Sequence, residues 1–153
     1  MSSELRDFPV ASLAIADARL VWRYRTFWAL RIELAPIDLP EPKFDGKATW
    51  MVQQRTFKLS FAYIELPQGP PESDELIMTY PPNPERGYIE DTIYVSNGHQ
   101  GVCLLALRIR PTPFGLAEME TRLEFEMENE GSGYRSFEVV LRAPLRIETE
   151  SQP

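Results

Sequence analysis

The only histidine and the only cysteine of the chain stand four residues apart in Ser96-Asn97-Gly98-His99-Gln100-Gly101-Val102-Cys103. A thiol beside an imidazole is a pairing that nucleophilic catalysis uses, the ring taking the proton and the thiolate attacking. Side chains with this spacing meet on a helix but lie about 13 Å apart along a strand, at ~3.3 Å per residue. Two glycines and a β-branched valine within the stretch argue against the helix. Asn97-Gly98, set between β-rich runs, is a preferred centre for a two-residue hairpin turn because both residues tolerate positive φ. That register places Ser96 opposite His99, Tyr94 opposite Gly101 and Thr92 opposite Cys103, with Ile93 and Val102 on the other face. Cys103 then leads into Leu105, Leu107 and Ile109 as a buried, inert thiol, and His99 becomes an exposed flank of the turn. Ser96 and His99 would be neighbours, but no third group or oxyanion donor accompanies them.

Other chemistries fare no better. A structural zinc site needs three or four Cys, His or carboxylate ligands, and one His with one Cys does not supply them. Calcium would need a glycine-centred loop of alternating acids, which neither Glu72, Asp74 and Glu75 nor Glu90-Asp91 provides. No Gly-rich phosphate loop, Gly-x-Ser-x-Gly elbow or His-Glu-x-x-His is present. The expectation is a protein that is not an enzyme and carries no metal or cofactor.

Charge points to binding. With 23 acidic against 16 basic side chains the net charge is −7, a field that repels phosphate backbones, so nucleic acid is not the expected partner. Glutamates recur at 118, 120, 124, 126, 128 and 130, alternating with Met119, Thr121, Leu123, Phe125 and Met127. A strand collects all of these acids on one face. Such a row deters edge-to-edge aggregation or pairs with arginines on a neighbouring strand, those at 19, 23, 25 and 31 being candidates, or it meets a basic partner. The stripe of arginines carries Phe27 on its own face, a combination that in a basic protein would suggest single-stranded nucleic acid.

The elements that must position these groups are strands. Leu20, Trp22, Tyr24, Thr26, Trp28, Leu30, Ile32 and Leu34 are even-numbered, and the arginines among them odd, which is a two-residue period. Fully extended, this run would reach about 50 Å in a globule about 40 Å across, so it must bend, bulge or turn. Residues 8–16 read either as a helix, Asp7 followed by Pro9 resembling a helix start, or as an edge strand, the strand being favoured, and 36–46 as a loop. After Trp50 and Val52 the phase shifts near Gln53-Gln54, predicting a bulge there and an apolar face of Phe57, Leu59, Phe61 and Tyr63. A strand over 76–80 lies between two proline-rich stretches, the segment expected to move most. Beyond Gly131 and Gly133 the odd-numbered apolar face runs from Phe137 to Ile147, with Pro144 marking an edge or a bend.

About eight strands and little helix give an all-β fold, an antiparallel β-sandwich first and a closed or partly open barrel second. One domain should span residues 1–153, with 1–7 and 148–153 as flexible termini. One cysteine, an acidic N-terminus without an apolar run and no ~20-residue apolar window predict a cytoplasmic protein that neither is secreted nor enters a membrane. The function these features favour is a non-catalytic protein-interaction module, an accessory, assembly or inhibitor-type subunit with a protein partner, a basic one or a second copy of itself. Its binding residues would be Tyr80, Arg86 and Tyr88 in the proline-rich stretch and Glu120, Glu124, Glu126 and Glu128 on the acidic face. The alternative is a barrel that carries a small apolar ligand among Trp22, Trp28, Trp50, Phe57 and Phe61.

Overall fold

Alternation along the chain turns into strands because successive side chains of an extended backbone face opposite ways whatever the strand pairs with. The computed structural model describes residues 5–23, 27–39, 43–44, 47–48, 56–66, 75–95, 98–112, 116–128 and 132–149. After a single 3-10 turn at Val10–Ser12 come β1 (Ile15–Arg23), β2 (Phe27–Leu34), β3 (Lys43–Phe44), β4 (Lys47–Ala48) and β5 (Lys58–Ile64). They are followed by β6 (Leu76–Thr79), β7 (Glu90–Val95), β8 (Gly98–Pro111), β9 (Ala117–Glu126) and β10 (Phe137–Thr149). No helix among the described residues is long and apolar enough to cross a membrane.

Eight strands form one sheet in the order β5-β2-β1-β10-β9-β8-β6, with β7 also pairing β8, while β3 and β4 form a separate two-stranded ladder. The sheet curls into a half-barrel, an all-β architecture between a sandwich and a partly open barrel. Its corner is β10, whose residues 137–145 pair antiparallel with β9 and whose residues 146–149 run parallel to β1. Pro144 sits at this handover, just before the β1 ladder begins, where its missing N–H removes no bond from that ladder. On the far side β5 approaches β7, and Ser60 N donates to Asp91 Oδ2 across the gap at 2.5 Å.

Inside the curl the two halves share one core that includes Leu20, Leu30, Phe61, Leu104, Leu107 and Phe125, all fully buried. The even-numbered apolar run turns between β1 and β2: Leu20 faces Leu30 and Trp22 faces Trp28, so the even residues of both strands keep to the core side. On β9, Met119, Thr121, Leu123 and Phe125 are buried, as is Met127 just beyond its end, as their alternation requires.

Two local expectations need correction. Residues 8–16 do not form one strand: Ser12 N and Leu13 N donate to Pro9 O and Val10 O, which makes a 3-10 turn and buries Phe8 and Leu13. The 36–46 stretch holds part of a ladder, since Lys43 pairs with Ala48 and Phe44 with Lys47. The proline-rich stretch after β6 is internally bonded, with Glu85 N donating to Pro82 O and Tyr88 N to Glu85 O. Gln53, Gln54 and Trp50 lie outside the described residues. Of the residues assigned to the termini, Arg6 bridges to Tyr134, and Glu148 and Thr149 pair with β1.

Candidate functional site

The β7–β8 hairpin forms, but two residues out of the expected register. Val95 faces Gly98, Tyr94 faces His99, Thr92 faces Gly101 and Glu90 faces Cys103, so Gly98 is a paired strand residue, while Ser96 and Asn97 lie outside the described residues. A slip of two leaves every side chain on its face, so burial cannot choose between the registers. Local contacts favour the observed one. Tyr94 meets His99 edge-on at 5.2 Å, and the Glu90 carboxylate occupies the space over Gly101. A Cβ at Gly101 would lie 3.2 Å from Glu90 Cδ and Oε2.

His99 is exposed and Cys103 buried, four residues apart on one strand. The layer around the thiol differs from the one expected. A bulge between Leu104 and Ala106 makes Leu105 an extra residue, so Cys103 faces away from Leu107 and Ile109. Cys103 Sγ donates to Glu90 Oε2 at 3.3 Å, and Asn83 Nδ2 donates to the same oxygen at 2.8 Å. Burial pushes the thiol up to about 11, with Glu90 adding to the effect and a main-chain hydrogen bond from Asn83 opposing it. A nucleophilic cysteine needs the opposite shift.

This geometry changes what a substitution there should do. Cys103→Ser keeps a donor for Glu90 and is expected to cost less than about 1 kcal/mol. It should also alter alkaline stability. The folded thiol titrates near 11 against an ordinary 9.0, and burial raises Tyr80 to about 12 from 10.0. Both groups hold their protons more tightly in the folded state, so their stabilisation is full below pH 9 and is lost as pH rises from 9 to 12. Urea midpoints across that range should fall less steeply for the serine variant than for wild type, and identical slopes would contradict the thiol's part.

The glutamate row is interleaved with arginines, though not those of β1. Arg110 pairs with Glu118 and Arg142 with Glu120 at 2.9 and 2.7 Å, and Arg122 pairs with Glu138. Because β10 lies between β9 and β1, the β1 arginines stand one strand too far away. Arg19 pairs instead with Asp17 and Glu148. Glu124 faces Cys103 on β8 and Glu138 on β10, and Glu126 faces Gly101. Glu128 Oε2 accepts from Ser136 N, which lowers its pKa. Exposed pairs of this kind contribute about 0–1 kcal/mol each, and they occupy carboxylates that a basic partner would otherwise meet.

Tyr80, Arg86 and Tyr88 lie elsewhere, on the connection from β6 to β7. Its two ends are pinned at the β8 bulge: Tyr80 N donates to Leu105 O and Leu104 N donates to Ile89 O, both at 2.9 Å. Gly87, at φ +96, takes a left-handed turn that disfavours a side chain. Arg86 and Tyr88 are exposed and Tyr80 is half-buried. The two tyrosines line an open cleft of about 840 Å³ that also includes Ser60, Tyr63, Glu65 and Glu90. The cleft is the seam of the half-barrel, with the β5 edge on one side and the β6–β7 connection on the other.

Tyr63 is the residue that sequence reasoning misplaces. Alternation puts it inside with Phe57, Leu59 and Phe61, which are buried, but it is 72% exposed. Trp28 faces Ile64 and Leu30 faces Phe61, so Ala62 and Tyr63 together oppose Ala29 in a bulge. Tyr63 takes φ +63 there, and Ile64 fills the core position in its place. The sequence signal is the adjacent pair Tyr63-Ile64, where a strict alternation allows only one apolar residue. Outside, the Tyr63 ring packs on Phe27 at 4.6 Å.

Tyr63 and Glu65 also line a second open cleft, of about 770 Å³, with Trp22, Phe27, Trp28 and Leu66. Of the residues expected to line an interior cavity, Phe57 and Phe61 are packed in the core, while Trp22 and Trp28 contact each other at 5.1 Å beside this outer cleft. Among the described residues no group of three or more His, Cys, Asp or Glu is placed to hold a metal ion. Compared with protein-family models, with curated proteins and with solved structures, the chain gives no match in any of the three.

Proposed function

We propose that the protein is a non-catalytic interaction module, cytoplasmic in setting, that receives an extended segment of a protein partner along its seam. The observation that carries this reading is Tyr63. A bulky residue at φ +63 is sterically disfavoured, by roughly 1–2 kcal/mol, and a glycine would remove that cost. The ring is nevertheless held outside the core, 72% exposed, on the wall between two clefts. Strain kept at an exposed aromatic is supported by a role in contact. Aromatic residues are the usual anchors of interfaces, and an open sheet edge beside them accepts an extended chain through main-chain hydrogen bonds. Tyr80 and Tyr88 remain in the proposed site, while the engaged glutamates of β9 support it less.

Tyr63→Gly separates the two roles. Stability should stay within about 1 kcal/mol of wild type, because relief of backbone strain offsets the lost contact with Phe27. Capture of a stoichiometric partner from native lysate, read by quantitative mass spectrometry, should fall at least about tenfold, the loss of one interface anchor. Undiminished capture by a folded Tyr63→Gly chain would remove the seam from the interface.

A second reading, the carrier of a small apolar ligand, is supported by the outer cleft with Trp22 and Trp28. Saturable quenching of tryptophan fluorescence by an apolar ligand, lost in Trp22→Ala, is the result it requires.

A further inference from the structure

The lining of the seam specifies more than an extended chain. We infer that the seam cleft recognises a cationic group, the lysine or arginine side chain of a basic partner segment, a specificity that rests on the seam being an interaction site. Three tyrosines, Tyr63, Tyr80 and Tyr88, and two carboxylates, Glu65 and Glu90, line this one cleft, and none of the described residues lining it is basic. The charged cleft over β8, β9 and β10 contrasts with it, since Arg108, Arg110 and Arg142 line that one together with Glu118 and Glu120.

Aromatic faces attract a cation through the ring quadrupole, and nearby carboxylates add a Coulomb term in a partly desolvated cleft. An anion would meet two carboxylates here and no basic side chain among the described lining residues. A neutral apolar segment would leave Glu65, which makes no ion pair or hydrogen bond among the described residues, against uncharged surface. The Tyr80 hydroxyl does not add to the negative charge, because burial raises its pKa to about 12. Glu90 is already oriented, its Oε2 accepting from Asn83 and Cys103 over the space left by Gly101. That carboxylate is held in place before any ligand arrives, so little ordering remains to oppose binding. The cation should arrive on an extended chain because the cleft runs along the edge of β5, where Ser60 N donates to a side chain, Asp91 Oδ2 across the gap, and not to a neighbouring strand.

The test uses the full chain, isotopically labelled for amide NMR, and two probes: the capped peptide Ala-Val-Lys-Val-Ala and its counterpart with norleucine replacing lysine. The lysine peptide should shift the amides of Tyr63, Glu65, Thr79, Gly87 and Glu90 saturably. Affinity should fall about threefold to tenfold with norleucine, and by a similar factor in Glu65→Gln, which keeps shape and removes charge. High salt should weaken the lysine peptide and leave norleucine unchanged. Equal binding of both peptides would overturn the cation while leaving an extended-chain site in place. Silence of the cleft amides with both peptides would also overturn it. The capture assay with Tyr63→Gly then decides separately whether the seam is an interface at all.

Discussion

Phe125→Ala is expected to lower the free energy of unfolding by about 3–5 kcal/mol, the usual range for removing a buried aromatic ring. Phe125 is fully buried on β9, where it faces Val102 on β8 and Phe137 on β10. Its ring stacks on Phe137 at 4.7 Å, Phe137 stacks on Phe8 at 5.1 Å, and Phe8 meets Tyr134 edge-on at 5.3 Å. This line of rings joins β9, β10 and the segment that precedes β1. Removing its innermost member leaves a cavity that the fixed ladders on either side of β9 cannot close. Urea denaturation should show a lower midpoint at unchanged slope. A loss under about 1 kcal/mol would mean that the strand relaxes into the space, and so that the ring does not hold the three segments together.

Gln100→Leu should cost about 2–4 kcal/mol although the volume hardly changes, because the loss is of hydrogen bonds and not of packing. Gln100 is fully buried, and in the amide orientation that suits its surroundings the nitrogen donates to Met127 O and Glu126 O at 3.1 and 3.2 Å. Ser132 Oγ donates to Met127 O as well, and itself accepts from Tyr134 N at 3.1 Å. Leucine would strip Glu126 O of this donor and leave Met127 O with the serine alone. Gln100→Glu should be worse near neutral pH, since a carboxylate would face two carbonyl oxygens. Its folded pKa would then lie above the unfolded one, so the deficit relative to wild type should shrink as pH falls and the carboxyl regains a proton. Thermal melts of the two variants at neutral and mildly acidic pH give the ranking. A glutamate variant as stable as wild type would show that the carbonyls have other donors.

The candidate site is legible in the sequence only in part. Tyr80 and Tyr88 stand out as aromatics in a proline-rich stretch, and they line the seam. The glutamate row also stands out, but two of its charges, Glu118 and Glu120, are matched by Arg110 on β8 and Arg142 on β10, which carry no sequence signal as partners. Glu65 and Ser60 carry no such mark, because nothing local shows that a residue faces a strand far along the chain. Cys103 reads correctly as buried but not as the partner of Glu90, since the two-residue slip of the β7–β8 hairpin puts Glu90 and not Thr92 opposite it.

Parity is what the sequence by itself determined. Side chains alternate along any extended backbone, so the inner faces of β9 and of the β1–β2 hairpin followed from residue order before a single partner strand was known. Neighbours and register were decided by the tertiary structure. The parallel pairing of β10 with β1 joins segments more than a hundred residues apart, and the two-residue slip of the β7–β8 hairpin leaves every face unchanged. The outward turn of Tyr63 depends on a bulge against β2, and the seam on the curl that brings β5 to β7. The pairing and the slip are choices between arrangements that bury the same side chains, and the bulge exchanges one apolar neighbour, Tyr63, for another, Ile64, so hydrophobic pattern alone is blind to them, and only the hydrogen bonds and contacts made across the folded sheet select one.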